Sequence, residues 1–169
     1  IGKTSLDEQI NLITQIKKRI QIFNDKPLTV NSTASFAAID TLFKDSNCDY
    51  AFVVNHENTC VGVITKMHMD IARITDNFSA LSVFHFMTPI DKIKCFKQYD
   101  YDWLKLIDTP PPKAIFDQFK DTGMSFIPIL NNFNKLLGVI SIKDIIFFHQ
   151  HKPNIVFDKF GRLLAAVYI

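Results

Sequence analysis

The amino-acid sequence predicts an α/β (α+β) protein made of two β-α-β-β-α repeats packed about a pseudo-twofold axis. Three observations lead there. First, "GVITKMH" at 62–68 returns as "GVISIKD" at 138–144, a shift of 76 residues. Second, the same shift lays Ala38 and Ile39 on Ala114 and Ile115, Phe43, Lys44 and Asp45 on Phe119, Lys120 and Asp121, and Asn55 and Asn58 on Asn131 and Asn134, without a gap. Fixed-period self-similarity of this kind marks internal duplication. Third, each copy alternates stretches of helical period with apolar runs of strand length. A unit of roughly 60 residues buries too little surface to stand comfortably alone, so the copies are expected to pack on each other.

Residues 1–23 are expected to form a helix, over 5–20, and a linker. The first repeat spans 24–82: a short strand at 28–30, a helix over 34–44, a strand at 50–54, the polar turn "NHEN", a strand at 60–65 and a helix over 67–74. The second, with an irregular connection, spans 83–152: a strand near 94–96, a helix over 112–120, a strand at 126–130, the turn "NNFN", a strand at 136–141 and a helix over 143–149. The connection holds Trp103 and a run of three prolines, read as a helix start. Residues 153–169 form a terminal segment whose "RLLAAV" reads as a strand.

Composition narrows the function classes. In 169 residues, 47% apolar and 21% charged side chains are a globular mixture, and a net charge of +2 with both signs interspersed is no nucleic-acid footprint. Apolar runs fall far short of the roughly 20 residues that cross a bilayer. Cys48, Cys60 and Cys95 are odd in number and lack metal or redox spacing, which points to reduced thiols and a soluble, cytoplasmic setting. A start at Ile1 without methionine reads as a processed or excised chain.

The candidate site residues lie in the repeated phrase. Ser141 followed three residues later by Asp144 is a capping-box pattern, which ties up backbone donors at a helix start and needs no ligand. The same geometry offers free N–H groups to an anion and a carboxylate to ribose hydroxyls. Residues alone leave both readings open. In the first copy Thr65 keeps the hydroxyl but His68 replaces the acid, and a neutral imidazole has one acceptor where a carboxylate has several. The ordinary reading of His68 is a helix-surface residue; the functional one is a phosphate contact strengthened below about pH 6.5. His149 and His151 do not share a helix face, so a metal site there is not expected. His56 and Glu57 fall in a turn, and no Ser/His/Asp or paired-carboxylate arrangement stands out.

These motifs resemble the cystathionine-β-synthase (CBS) domain, a β-α-β-β-α unit found in pairs whose second strand ends in G-h-h-[TS]-x-x-D. "GVISIKD" matches completely and "GVITKMH" loses its last position. The resemblance implies a purine nucleotide, ATP, ADP or a guanine nucleotide, in a cleft between repeats. Ser141 and Asp144 would hold ribose, Ile127 and Pro128 would line the base pocket, and Lys143 would lie near phosphate. Thr65 and His68 would mark a second, weak or empty site. Disc-like homodimers are implied too, with an attached or partner enzyme sensing the ligand.

A narrower resemblance lies in the flanks: "LDEQINLITQIKK", "RITD", "FMTP" and "KPNIVFDKFGRLLAAV" are similar to the regulatory segment of bacterial inosine monophosphate dehydrogenase and its borders. That enzyme's catalytic cysteine loop and glycine-rich phosphate turns have no counterpart among these five scattered glycines and three cysteines, so the chain is read as non-catalytic. Two other readings stay open. It is a piece of an active dehydrogenase or guanosine monophosphate reductase, or a degenerate pair serving only as a dimerisation scaffold.

Overall fold

The computed structural model describes residues 6–7, 24–100, 113–150, 154–157 and 163–167. Most of the expected N-terminal helix, Trp103 with the proline run, and His151 lie outside the described residues. Within them, 24–100 and 126–139 make one compact unit, while 113–125, 140–150 and the terminal hairpin belong to another.

The first repeat runs β1 (Thr29–Asn31), α1 (Phe36–Ser46), β2 (Tyr50–Val54), β3 (Cys60–Thr65) and α2 (Lys66–Arg73). A two-residue strand, β4 (Thr88–Pro89), follows a pair of single-turn helices. The second runs β5 (Phe96–Lys97), α3 (Lys113–Thr122), β6 (Phe126–Leu130), β7 (Leu136–Ser141) and α4 (Ile142–Gln150). The β-α-β-β-α order read from the sequence is therefore present twice. Helix bounds move by one or two residues, and β4 and β8 (Asn154–Phe157) were not anticipated; β8 pairs antiparallel with β9 (Leu163–Val167), the "RLLAAV" strand. The other sheets have the orders β1-β2-β3-β4 and β5-β6-β7.

Local chemistry explains these boundaries. Ser35 caps α1 by accepting from the Ala38 amide at 3.3 Å, which moves the helix start two residues past the expected one. Asn47 ends α1 in the left-handed conformation at φ 52°, and Gly123, 76 residues on, takes φ 63° just after α3. Gly123→Ala places a side chain in that conformation, at an expected cost of about 1–2 kcal/mol readable by urea denaturation. Both hairpin turns use one device. The Asn55 carboxamide accepts from the amides of Glu57 and Thr59, at 3.0 and 2.9 Å. Asn131 does the same for Phe133 and Lys135, at 2.8 and 2.9 Å, and Asn58 and Asn134 supply the left-handed residue of each turn.

Strand β2 is buried on both faces, so it reads as an unbroken apolar run. Ala51 and Val53 join Phe36, Ile39, Phe43, Ile64, Met69 and Ala72 in a core beneath α1 and α2. From the other face Tyr50 stacks on Phe126, ring centres 3.9 Å apart and 14° from parallel, and Phe52 meets Phe126 edge-on at 5.8 Å. Tyr50 and Phe126 are equivalent under the 76-residue shift, so each repeat presents the same position to the other.

The strand edges are exchanged between repeats. β4, which leads into the second repeat, pairs with β3 at Gly62↔Pro89 and Val63↔Thr88. Asn24, which leads into the first, bridges Val139 of β7 with backbone hydrogen bonds of 2.8 and 2.9 Å. Val139 is the counterpart of Val63. Each outer edge is thus met by the other repeat's lead-in, at two residues of β3 and one of β7, which shortens the edge left to template aggregation.

The repeats differ at one instructive place. The Phe52 amide donates to Leu28 at 2.8 Å, and β1 pairs over three residues. Its counterpart is Pro128, which has no N–H, and β5 pairs only at Phe96↔Ile129 and Lys97↔Leu130. One missing donor shortens the strand.

Candidate functional site

Both repeated phrases end a strand and open a helix, as the sequence predicts. At β7–α4 the Ser141 hydroxyl donates to the Asp144 carboxylate at 2.6 Å and accepts from the Asp144 amide at 3.1 Å. The Ile142 amide donates to the Ser125 carbonyl at 2.9 Å, tying the helix start to the residue before β6. Ser141 and Asp144 are half-buried and Lys143 is exposed. The pair is a capped helix start with one carboxylate oxygen engaged by its own serine, leaving acceptor capacity on the acid. Ile127 and Pro128 sit in β6, both buried, and Ile127 has no exposed surface. They belong to the unit of 24–100 and 126–139, whereas Ser141, Lys143 and Asp144 belong to the other.

The β3–α2 counterpart is built differently from its expected form. His68 is not a plain helix-surface residue: it is half-buried and its ring is held at both nitrogens. Nδ1 accepts from the Thr65 amide at 3.0 Å and lies 3.0 Å from the Thr65 hydroxyl. The Thr65 hydroxyl accepts from the His68 amide at 3.3 Å, which completes a capping box with histidine in the acid's role. On the far side Nε2 lies 3.1 Å from the Thr88 hydroxyl in β4. Burial lowers the ring's affinity for a proton.

Thr88 is the residue that sequence reasoning missed. It lies in "FMTP", singled out only as a flanking motif, and nothing local signals a contact made 20 residues from its partner. Gly62 makes the contact possible, since a Cβ there would stand 2.6 Å from the Thr88 carbonyl oxygen and 2.7 Å from Met87 Sδ.

Between α1 and α2 lies a groove of about 260 Å³ lined by Asp40, Lys44, Lys66, Asp70 and Arg73. Its ions are engaged with one another or with a neighbour: Lys44 with Asp40 at 2.7 Å, Lys66 with Asp49 at 3.0 Å, and Arg73 with Asp40 and Asp70. The Lys44 ammonium, with Arg73, holds the Asp40 carboxyl below its ordinary range. Cys48, Cys60 and Cys95 are free thiols, and burial pushes Cys60 up to about 11, so it is no nucleophile at neutral pH. Among the described residues no three His, Cys, Asp or Glu side chains converge on a metal position. Nor is any described helix long and apolar enough to cross a membrane.

Fold and paired helix starts together define a tandem-repeat α/β module. The family model described as CBS domain matches residues 19–69 and 107–150, more than half of the chain, and the chain belongs to that family as a tandem pair. Over 162 residues it is 25% identical to an inosine-5'-monophosphate dehydrogenase of Methanocaldococcus jannaschii, with 96% of this chain and 29% of that protein covered. The chain spans less than a third of the length of the curated relatives it matches. A crystal structure of GMP reductase from Trypanosoma brucei superposes with a TM-score of 0.71 and 17% identity, covering 95% of this chain and 34% of that one. The crystal structure of CBSX2 in complex with AMP gives 0.59 and 13%, covering 78% and 93%. At these identities the structures share the fold.

Proposed function

We propose that this CBS pair is a non-catalytic regulatory module that binds a purine nucleotide (ATP, ADP or a guanine nucleotide), with Ser141 and Asp144 gripping the ribose and Lys143 near phosphate. The observation that carries the reading is the half-buried Ser141–Asp144 pair at the start of α4, in the one signature that keeps its acid. An AMP complex of a CBS protein with this fold supports the ligand class. Regulation follows from linkage: a ligand that favours one arrangement of the repeats, or one pairing of modules in a homodimer, passes that bias to an attached or partner enzyme. Likeness to inosine monophosphate dehydrogenase along nearly the whole chain suggests a purine-metabolising enzyme as that partner, in the same polypeptide or another. No metal, nucleic acid or membrane enters the scheme.

Melting the protein with ATP, ADP, AMP, GTP, GDP, IMP and S-adenosylmethionine, and repeating with Asp144→Ala, tests this. A ligand at 100 times its Kd stabilises by about 2.7 kcal/mol, several degrees in a chain of this size. A shift confined to purine nucleotides and abolished in the variant is expected. A cooperative melt unmoved by all of them would instead support a dimerisation scaffold, the reading that His68 in the first signature favours.

A further inference from the structure

The His68 ring joins two elements, the start of α2 and β4, that the duplication does not require to touch. The Thr65 amide donates to Nδ1, so in this geometry Nδ1 carries the lone pair and the ring proton sits on Nε2, from which it is donated to the Thr88 hydroxyl. The tautomer follows from the backbone donor, because an amide N–H can only donate. We infer that His68 is a proton-operated latch: neutral, it caps the start of α2 through the Thr65 amide while holding β4 through Thr88; protonated, it lets go of the Thr65 amide and keeps its Nε2–H on the Thr88 hydroxyl.

The release follows from donor counting. A proton added to Nδ1 sets an N–H against the Thr65 N–H at a separation of 3.0 Å, so an attraction becomes a repulsion. A half-buried imidazolium also gains from a counter-charge, and the ring's hydrogen-bond partners are an amide and two hydroxyls, with no carboxylate among them. On α2 itself, Lys66 pairs with Asp49, and Arg73 with Asp70 and with Asp40 of α1, where Lys44 shares Asp40. β3 faces the ring with the Thr65 hydroxyl and holds the Cys60 thiol, which stays neutral throughout this range. β4 contributes Thr88. The short turn Ile90–Lys92 beside β3 carries Asp91 and Lys92, opposite in sign and both exposed. Burial alone then sets the direction in which the ring's proton affinity moves, downward.

The sign of the linkage is fixed. An unfolded histidine takes up its proton near pH 6.5, before the folded ring does, so the latch contributes fully above that pH. Its contribution falls as pH drops from there through the ring's own lower value. The device needs no ligand to operate.

Nitrogen-15 NMR of the whole chain from pH 8 to pH 5 tests the latch. At pH 8 the His68 ring is expected as the Nε2–H tautomer, with a titration midpoint below 6.5, and the Thr65 and Thr88 amide signals should move with that same midpoint. His68→Asp, which restores an acceptor that stays ionised over this range, should abolish the Thr65 titration. Thr88→Val should uncouple residue 88 from the ring while Thr65 still follows it. A ring that is Nδ1–H at pH 8, or one that titrates while both amides stay still, overturns the inference in the unaltered protein, whatever the variants do.

Discussion

Replacing Phe52 with alanine is expected to lower the unfolding free energy by about 3–5 kcal/mol, the usual range for emptying a fully enclosed phenylalanine site. Phe52 has no exposed surface. It lies on the face of β2 away from the helices, edge-on to Phe126 at 5.8 Å and to Tyr50 at 5.8 Å. Its loss therefore removes both a transfer term and two edge-to-face contacts of about 0.5–1.5 kcal/mol each, and the cavity opens where the repeats meet. Neighbouring β-strands cannot close it without breaking the ladders that hold them, so little relaxation is available. For a chain of this length the melting temperature should fall by roughly 6–20 °C. Phe133, 78% exposed at the tip of the second hairpin, is the control, and its alanine variant should stay within about 0.5 kcal/mol of the parent. A loss below about 1 kcal/mol for Phe52 would mean that the aromatic cluster does not couple the repeats.

That cluster shows what a single sequence can and cannot disclose. The repeat unit was legible because duplicated backbone conformations demand duplicated residue types. Asn58 and Asn134 sit at φ 61° and 57°, Asn47 and Gly123 at 52° and 63°, and each pair lies on the 76-residue shift. Strands β2 and β6 were legible to the residue because burial on both faces writes an apolar run with polar punctuation. β4 was not: two residues, one of them proline, carry no periodicity, and their partners lie 25 and 27 residues back in β3. The exchange of edges was invisible for the same reason. Asn24 and Thr88 are polar residues in linkers, and only the fold brings them to Val139 and Val63.

The candidate site divides along similar lines. Ser141 with Asp144 and Thr65 with His68 are local pairs three residues apart, and the structure joins each of them as the capping pattern predicts. The second anchor of His68 is a tertiary contact, so the sequence allowed a surface histidine where the structure has a tethered one. An aspartate at N3 is short and offers only acceptors; a histidine caps with one ring nitrogen and reaches a neighbouring strand with the N–H of the other.

Gly62→Ala is expected to be the costlier of the two small substitutions at glycine, for a reason written in β4 and not in backbone conformation. The added methyl would stand 2.6 Å from the Thr88 carbonyl oxygen and 2.7 Å from Met87 Sδ. The sulfur can swing aside, but the carbonyl belongs to a backbone held by the Val63↔Thr88 pair and by the Met87 amide, which donates to Val83 at 2.9 Å. Met87 and Val83 are themselves part of the core under α1 and α2, so β4 cannot retreat without disturbing that core. Overpacking of this kind costs about 1–3 kcal/mol. Denaturant unfolding should therefore show a lower midpoint at unchanged slope, which separates a change in stability from a change in the unfolded chain. The displacement should also carry Thr88 away from His68 Nε2, so the ring and the residue-88 amide should titrate independently in this variant. A protein of parental stability whose Thr88 still follows His68 would show that β4 yields freely and that the close approach at Gly62 is not what positions the latch.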